Sequence, residues 1–137
     1  MANKGYSGTP LARKLSLKAG MRVWFDAMPT HVLNEIEDYG LTLDFLDAPE
    51  PEMDAAHIFV TRQSDMLAKL DVIVPLLKPA GFIWLSWPKK AAKRETDITE
   101  DVIRALILPA TALVDVKVCA VDAVWSGLKL MIRKEAR

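Results

Sequence analysis

The amino-acid sequence predicts a three-layer α/β fold, in which a mostly parallel sheet ends in a C-terminal antiparallel hairpin strand. Short apolar runs alternate with segments of helical periodicity along most of the 137 residues, as in strand–helix–strand units. The last two predicted strands are separated only by Asp122 and Ala123. So short a link permits a hairpin but not a parallel crossover. We therefore predict roughly five parallel strands and one antiparallel strand.

The composition indicates one globular unit without a bias toward charged partners. The chain is 51% hydrophobic and has 18 basic and 18 acidic residues, so no net field favours nucleic acid or a membrane surface. We expect neither as a partner. No apolar run has the length of a signal peptide or a membrane span, which predicts a cytoplasmic protein. We divide the chain into an N-terminal arm with a short helix at residues 1–20 and a single α/β domain at residues 21–137.

Proline and glycine residues in the first half of the chain mark the ends of short strands and helices. Thr9 followed by Pro10 suits the start of a short helix, with threonine as the N-cap. Gly40 ends the next periodic segment. From apolar runs and their spacing we predict three strands and an intervening helix: strands at Met21–Phe25, Leu41–Leu46 and Ala56–Thr61, and a helix at Thr30–Tyr39.

The second half continues the alternation and then changes to a hairpin. The clearest helical periodicity runs from Ser64 to Leu77, and Pro75 should bend or restart that helix. Asp97 followed by Glu100 resembles a capping box for a helix that runs to about Leu108. The remaining predicted elements are an apolar strand, a polar connection and the two hairpin strands: Phe82–Trp87, Lys89–Glu95, Val114–Val121 and Val124–Arg133.

The segment Leu76–Phe82 resembles a turn that precedes a late strand in many methyltransferases. The predicted backward-running last strand is also similar to the end of the class I methyltransferase sheet, and it disfavours a flavodoxin-like sheet. This resemblance implies a truncated class I methyltransferase-like fold, short of one or two elements. We expect these to be missing at Ala48–Asp54, where the sequence has only a loop rich in proline and glutamate.

Four further segments are similar to a bacterial family classed as a domain of unknown function. They are spread over nearly the whole chain: Tyr6–Leu11 (YSGTPL), Trp87–Lys90 (WPKK), Thr96–Val102 (TDITEDV) and Trp125–Leu128 (WSGL). The resemblance implies membership of that family. It implies no activity, because the family has no assigned one.

The segment after the first predicted strand bears on a nucleotide-type cofactor. Such folds normally place glycines there, so that the backbone can approach the ligand closely. The residues Asp26–Thr30 include no glycine, and Pro29 removes an amide donor. We therefore predict no cofactor, and we expect S-adenosylmethionine (SAM) to bind weakly or not at all.

The candidate ligand-binding residues follow the carboxyl ends of predicted strands, where open parallel sheets bind ligands. Asp47 ends the second strand, at a place where related folds hold a carboxylate to ribose hydroxyls; the alternative is a solvated strand end. Trp87 and Trp125 lie near the same edge and could pack against a ligand or another subunit. Four cations precede a predicted helix start and suit an anion, although a solvated loop is the alternative: Lys89, Lys90, Lys93 and Arg94.

No catalytic constellation or metal site is predicted. Cys119 lies in an apolar run and is expected to be a small core residue, and Trp24 and Trp84 are expected in the core. Neither His31 nor His57 has a zinc-like spacing to other ligands. His31 follows the first strand and could face the edge as a lone acid or base, although helix capping explains that segment as well.

These observations favour a methyltransferase-like binding or regulatory module without the glycine-rich loop, rather than an enzyme. One alternative is an enzyme that uses SAM or a phosphorylated small ligand through a nonstandard loop. Another is a structural subunit of a protein complex or a homodimer, with Trp87 and Trp125 at the interface. A small anionic ligand is the expected partner in the first two cases.

Overall fold

The structure, a computed structural model, describes residues 8–137; the predictions for Tyr6 and Ser7 lie outside this range. Helices and strands alternate along the described chain until a final pair of strands. In chain order they are α1 Leu11–Lys14, β1 Arg22–Asp26, α2 Thr30–Asp38, β2 Asp44–Phe45, β3 Met53–Phe59, α3 Gln63–Ile73, β4 Leu77–Pro88, α4 Glu100–Ile107, β5 Leu113–Ala120 and β6 Trp125–Ile132. Short 3-10 turns lie at Val74–Leu76, Lys90–Ala92 and Lys134–Ala136.

The strands form one six-stranded sheet in the order β2-β1-β3-β4-β6-β5. Strands β2, β1, β3 and β4 are parallel. Strand β6 is antiparallel to both of its neighbours, β4 and β5, so β5 runs in the same direction as the parallel strands. The predicted mostly parallel sheet with one antiparallel hairpin strand is confirmed.

Helices cover both faces of the sheet and complete the predicted three layers. On one face, buried residues of α1 and α2 pack against β1, β3 and β4. On the other face, buried residues of α3 and α4 pack against β3, β4 and β6. The central strands are therefore apolar on both sides, as expected of a parallel sheet between helix layers. None of the helices within residues 8–137 has both the length and the apolar run to cross a bilayer.

The boundaries around Pro75 differ from the predicted ones. Helix α3 ends at Ile73, and Pro75 lies in the 3-10 turn that follows. Proline cannot donate a hydrogen bond to the preceding turn, which explains the early end. Strand β4 then begins at Leu77 rather than Phe82, with a register shift against β3 between Met53 and Ala55.

The predicted capping box at Asp97 is wrong. Thr99 is the N-cap of α4, and its Oγ1 accepts a hydrogen bond from the Val102 backbone N–H at 3.1 Å. Asp97 instead accepts from the backbone N–H of Gln63, the first residue of α3, at 2.7 Å. Asp97 and Thr99 both carry a side-chain oxygen that can cap a helix, so residue type alone does not show which of them caps α4.

A buried polar pair joins the two central strands. His57 on β3 is 2% exposed and Ser86 on β4 is fully buried, with His57 Nε2 2.7 Å from Ser86 Oγ. The imidazole also stacks on Phe59 with ring centroids 4.4 Å apart. Burial lowers the pKa of His57 to about 3, so the ring is neutral in the folded protein.

Acid should therefore destabilise the fold through His57. Its pKa rises from about 3 in the fold to 6.5 in the unfolded chain, so the stabilising contribution is complete above pH 6.5 and is lost as the pH falls toward 3. Between about pH 7 and about pH 5, we expect His57→Gln to lose about 2 kcal/mol less unfolding free energy than the wild type. Glutamine can keep the bond to Ser86 without titrating. Urea unfolding at the two pH values measures the difference, and equal losses would contradict the assignment.

Candidate functional site

Two large clefts lie at the carboxyl edge of the sheet. The parallel-running strands end there at Asp26, Phe59, Pro88 and Ala120, and the antiparallel β6 begins there at Trp125. This is the edge at which open α/β sheets bind ligands. The β5–β6 turn is therefore brought beside the loops that follow β1 and β4.

The loop after β1 makes a tight turn without glycine. Strand β1 ends at Asp26 and α2 begins at Thr30. Between them, Ala27 has a φ of 57°, in the left-handed region that glycine usually occupies. The side chain of Ala27 is exposed, so its methyl group meets no core packing. The backbone thus adopts a glycine-type turn, although the sequence contains no glycine there.

An ion pair fixes the carboxylate at the end of β1. Asp26 pairs with Lys69 of α3, and Lys69 also lies 3.3 Å from Asp65. Burial alone would lower the pKa of Lys69, but the hydrogen bonds and charges of the two carboxylates raise it above its ordinary value. Helix α3 is thereby tied to the turn at Ala27.

The larger of two clefts at this edge, which we name the α2 cleft, lies between α2 and the β5–β6 turn and has a volume of about 760 Å³. His31 and Asp122 meet in it, with His31 Nε2 2.7 Å from Asp122 Oδ2. The cleft is lined by Lys14, His31, Asn34, Glu35, Asp38, Lys89, Ala120, Val121, Asp122 and Ala123.

Asp122 is held on its other oxygen by the turn itself. Its Oδ1 accepts from the backbone N–H groups of Val124 at 2.8 Å and Trp125 at 2.7 Å. Burial alone would raise the pKa of Asp122, but these two bonds and the one to His31 bring it below its ordinary value. The carboxylate is therefore ionised, and because it has no proton to donate, Nε2–H of His31 is the donor.

The second cleft, which we name the α4 cleft, lies on the other side of the β4 end and has a volume of about 710 Å³. Lys89, Lys90 and Arg94 line it, and Lys89 also lines the α2 cleft. The Lys89 backbone N–H donates to Val124 O at 2.7 Å, which fixes this residue between the two clefts. The structure thus brings together three of the four predicted cations.

The α4 cleft also contains acidic side chains. Glu100 and Asp101 line it, and Glu100 pairs with Arg104 on the next turn of α4. Lys93, the fourth predicted cation, does not line the cleft; it is exposed and has a φ of 55° at the end of the 3-10 turn. The wall of the α4 cleft therefore carries both basic and acidic side chains.

Of the other predicted site residues, Asp47 and Trp125 line neither cleft, whereas Trp87 lines the α4 cleft. Asp47 is exposed just after β2. Trp125 is half-buried and packs edge-to-face on Phe59, with ring centroids 5.1 Å apart. Trp87 and Trp84 are 6% and 1% exposed, so both belong to the core. No group of three or more potential metal-ligating side chains comes together among the residues that the structure describes.

Sequence reasoning missed the partner of His31. Asp122 is 91 positions away along the chain, and no local pattern connects the two. A signal was nevertheless present, because both His31 and the two-residue link with Asp122 follow strands at the carboxyl edge. Strand order would have placed them together; sequence spacing could not.

Comparison with known proteins identifies the fold. No family model matches the chain, and no curated protein matches its sequence. Among solved structures, a SAM-dependent methyltransferase from Aquifex aeolicus is similar at 17% identity, with a TM-score of 0.58 over 90% of this chain and 88% of that one. Magnesium protoporphyrin IX methyltransferase from Synechocystis, with bound SAM, is similar at 12% identity and a TM-score of 0.55, over 90% of this chain and 74% of that one.

A third similar structure has a different described activity. The [4+2]-cyclase SpnF has a TM-score of 0.57 at 12% identity, over 89% of this chain and 79% of that one. At identities this low, the structural similarity shows the fold alone, which is the class I methyltransferase-like fold.

The predictions of a binding or regulatory module and of weak or absent SAM binding were wrong. Both rested on the glycine-free loop, yet the fold is that of SAM-dependent methyltransferases, one of which has SAM bound. The physical reason for the error is the turn at Ala27: a φ of 57° is strained for alanine but accessible to it. The absence of glycine was taken to exclude a left-handed turn, although Ala27 adopts that turn.

The strain at Ala27 can be measured. Ala27→Gly should raise the unfolding free energy by up to about 1 kcal/mol, because relief of left-handed strain exceeds the added entropy of the unfolded chain. The matched control is Ala91→Gly, an exposed alanine in the 3-10 turn after β4, which should lower stability by roughly 0.5–1 kcal/mol. Denaturant unfolding measures both. A loss of stability in Ala27→Gly would contradict the left-handed turn.

Proposed function

We propose that this protein is a SAM-dependent methyltransferase that binds SAM at the carboxyl edge of the sheet. The supporting observation is the shared fold, which extends over 90% of this chain and 88% of the Aquifex enzyme. SAM supplies an electrophilic methyl group on a sulfonium sulfur. The task of the protein is to bind SAM, to orient an acceptor and to take up the proton that the acceptor loses.

The residues at this edge fit such a ligand. The turn at Ala27 has the left-handed backbone that lets a glycine turn pass close to a ligand. Asp47, exposed after β2, offers a carboxylate that can accept from two ribose hydroxyls, the role that the methyltransferase resemblance implies. Asp26 is less available to accept from ribose hydroxyls, because it already forms an ion pair with Lys69.

We further propose that the cations after β4 contact an anionic group of the ligand or acceptor. Lys89, Lys90 and Arg94 line the α4 cleft, and Lys93 lies next to them in sequence. The Glu100 carboxylate repels a bound anion only weakly, because Arg104 forms an ion pair with it. Trp125, beside the start of the hairpin, is proposed to support the same surface through its contact with Phe59.

A second candidate function is a reaction other than methyl transfer on the same fold. The [4+2]-cyclase among the similar structures is the observation that favours it. Such a protein would still need a cleft for its substrate but would not convert SAM to S-adenosylhomocysteine. Release of that product therefore distinguishes the two candidates.

Membership of the bacterial family of unknown function, a cytoplasmic location and a protein partner or homodimer stay predictions. The segments that suggest the family include Trp125–Leu128, where Gly127 packs closely under Trp84. Part of that resemblance therefore has a structural explanation.

SAM binding tests the proposed function directly. By isothermal titration we expect a dissociation constant in the low micromolar range, about −8 kcal/mol. Asp47→Asn should weaken binding at least tenfold, because hydrogen bonds to charged groups contribute about 1.5–3 kcal/mol. Asp71→Asn, on the exposed side of α3, is the matched control and should bind as the wild type does. Absence of binding heat from SAM would refute the proposal.

The cation proposal has its own test. Titration with inorganic phosphate, followed by amide chemical shifts, should show binding beside Lys89 and Lys90. The variant Lys89→Ala with Lys90→Ala should weaken it at least roughly tenfold through two lost charge-assisted contacts. Lys134→Ala, in the distant C-terminal turn, serves as the control. Unchanged affinity in the double variant would leave this stretch as a solvated loop.

A further inference from the structure

The His31–Asp122 pair has the geometry of a general base with its orienting group. Asp122 is fixed by two backbone N–H groups on Oδ1 and faces His31 with Oδ2. The carboxylate therefore holds the imidazole in one orientation and one tautomer, and it stabilises the ring when the ring takes up a proton. Only 17% of the Asp122 side chain is exposed, so the carboxylate is held within the turn.

The opposite side of the imidazole is available to a ligand. Because Nε2–H donates to Asp122, Nδ1 carries the lone pair that can accept a proton. Among the described residues Nδ1 has no hydrogen-bonding partner, and the His31 side chain is 68% exposed. His57 offers the contrast: it is buried, and its ring cannot reach solvent.

The α2 cleft has the size and lining of a small-molecule site. Its volume of about 760 Å³ lies within the range of about 300–1,000 Å³ typical of such sites. Ala120, Val121 and Ala123 form a small-residue apolar wall next to the dyad, and Lys89 lies at the border with the α4 cleft. The acidic Glu35 and Asp38 of α2 also line the cleft, so the apolar wall beside His31 suits a compact, uncharged molecule with its polar group at His31.

We propose that the α2 cleft binds a small aromatic compound with an acidic hydroxyl group, and that His31 accepts the hydroxyl proton while Asp122 positions it. The inference rests on the proposed function, for which it names the acceptor class and the base. A phenol, with a pKa of about 10, is a much stronger acid than a simple alcohol, so it gives up its proton to an imidazole base more easily.

The proton balance of the reaction explains the need for a base. As the oxygen–methyl bond forms and the methyl–sulfur bond breaks with its electron pair left on sulfur, the hydroxyl proton passes to His31 Nδ1. The resulting imidazolium is stabilised by the Asp122 carboxylate and returns its proton to solvent. His31 is thus the catalytic residue, and Asp122 is a positioning residue.

The test uses 4-nitrophenol, whose ionised form is coloured, with the full chain and without SAM. At a pH just below the pKa of free 4-nitrophenol, we expect the dye to bind at millimolar concentration or tighter and to show the phenolate band. Amide shifts at residues 120–123 should locate it in the α2 cleft. His31→Gln should keep these shifts but reduce the band to the level of the free dye. In Asp122→Asn, Oδ1 can still accept from Val124 and Trp125, but the amide N–H then faces His31 Nε2 and the ring proton moves to Nδ1, so the band should fall to the level of the free dye.

The outcomes separate this inference from the proposed function. Absence of shifts at residues 120–123, or an undiminished phenolate band in His31→Gln, overturns the assignment of the base. SAM titration of His31→Gln should match the wild type, because His31 is assigned to the acceptor. If SAM does not bind while 4-nitrophenol is ionised in the cleft, the methyltransferase proposal fails and the acid–base site stands.

Discussion

The pairing of β6 with β4 is the constraint on which the site depends. Seven residue pairs match in register, from Phe82 opposite Met131 to Pro88 opposite Trp125. Because β6 runs against β4, its first residue lies beside the last residue of β4. The turn that precedes β6 is therefore placed at the carboxyl edge, where Asp122 meets His31 and Val124 meets Lys89.

Close packing in the middle of that pairing depends on one glycine. A Cβ at Gly127 would lie 3.2 Å from both Trp84 Cε3 and Val121 Cγ2, so any side chain there would displace the indole or the valine. Trp84 in turn donates from Nε1 to Leu15 O at 2.8 Å, which connects the sheet to the segment after α1. The Trp-Ser-Gly-Leu segment is thus explained in part by the fit of β6 against β4.

The fold was largely predictable from the sequence because its signals are local. Hydrophobic periodicity located the helices and most strands, and the two-residue link at Asp122 required one antiparallel strand. Boundaries were less accurate where competing residues carry the same chemistry, as with Asp97 and Thr99. For the candidate site, the sequence indicated the sheet edge and the cations that line the α4 cleft there, and the binding role of those cations stays a prediction. The pairing of His31 with Asp122 depends on strand order, which local patterns do not contain.

The glycine-free turn shows how a missing motif misleads. Glycine lowers the cost of a left-handed turn, but a surrounding fold can impose the same backbone on alanine at a modest cost in free energy. At Ala27 the methyl group is exposed, so it adds no steric conflict with the core. The backbone conformation of a loop, rather than residue type alone, decides the surface that the loop presents to a ligand.

We propose that SAM binds at the carboxyl edge of the sheet, beside the turn at Ala27 and the β5–β6 turn. A two-dimensional amide NMR titration of the ¹⁵N-labelled chain with SAM tests it most directly. We expect shifts concentrated at Ala27, Met28 and Asp47, with residues 78–81 at the opposite edge of the sheet unaffected. Shifts confined to the opposite edge, or none at saturating SAM, would contradict it.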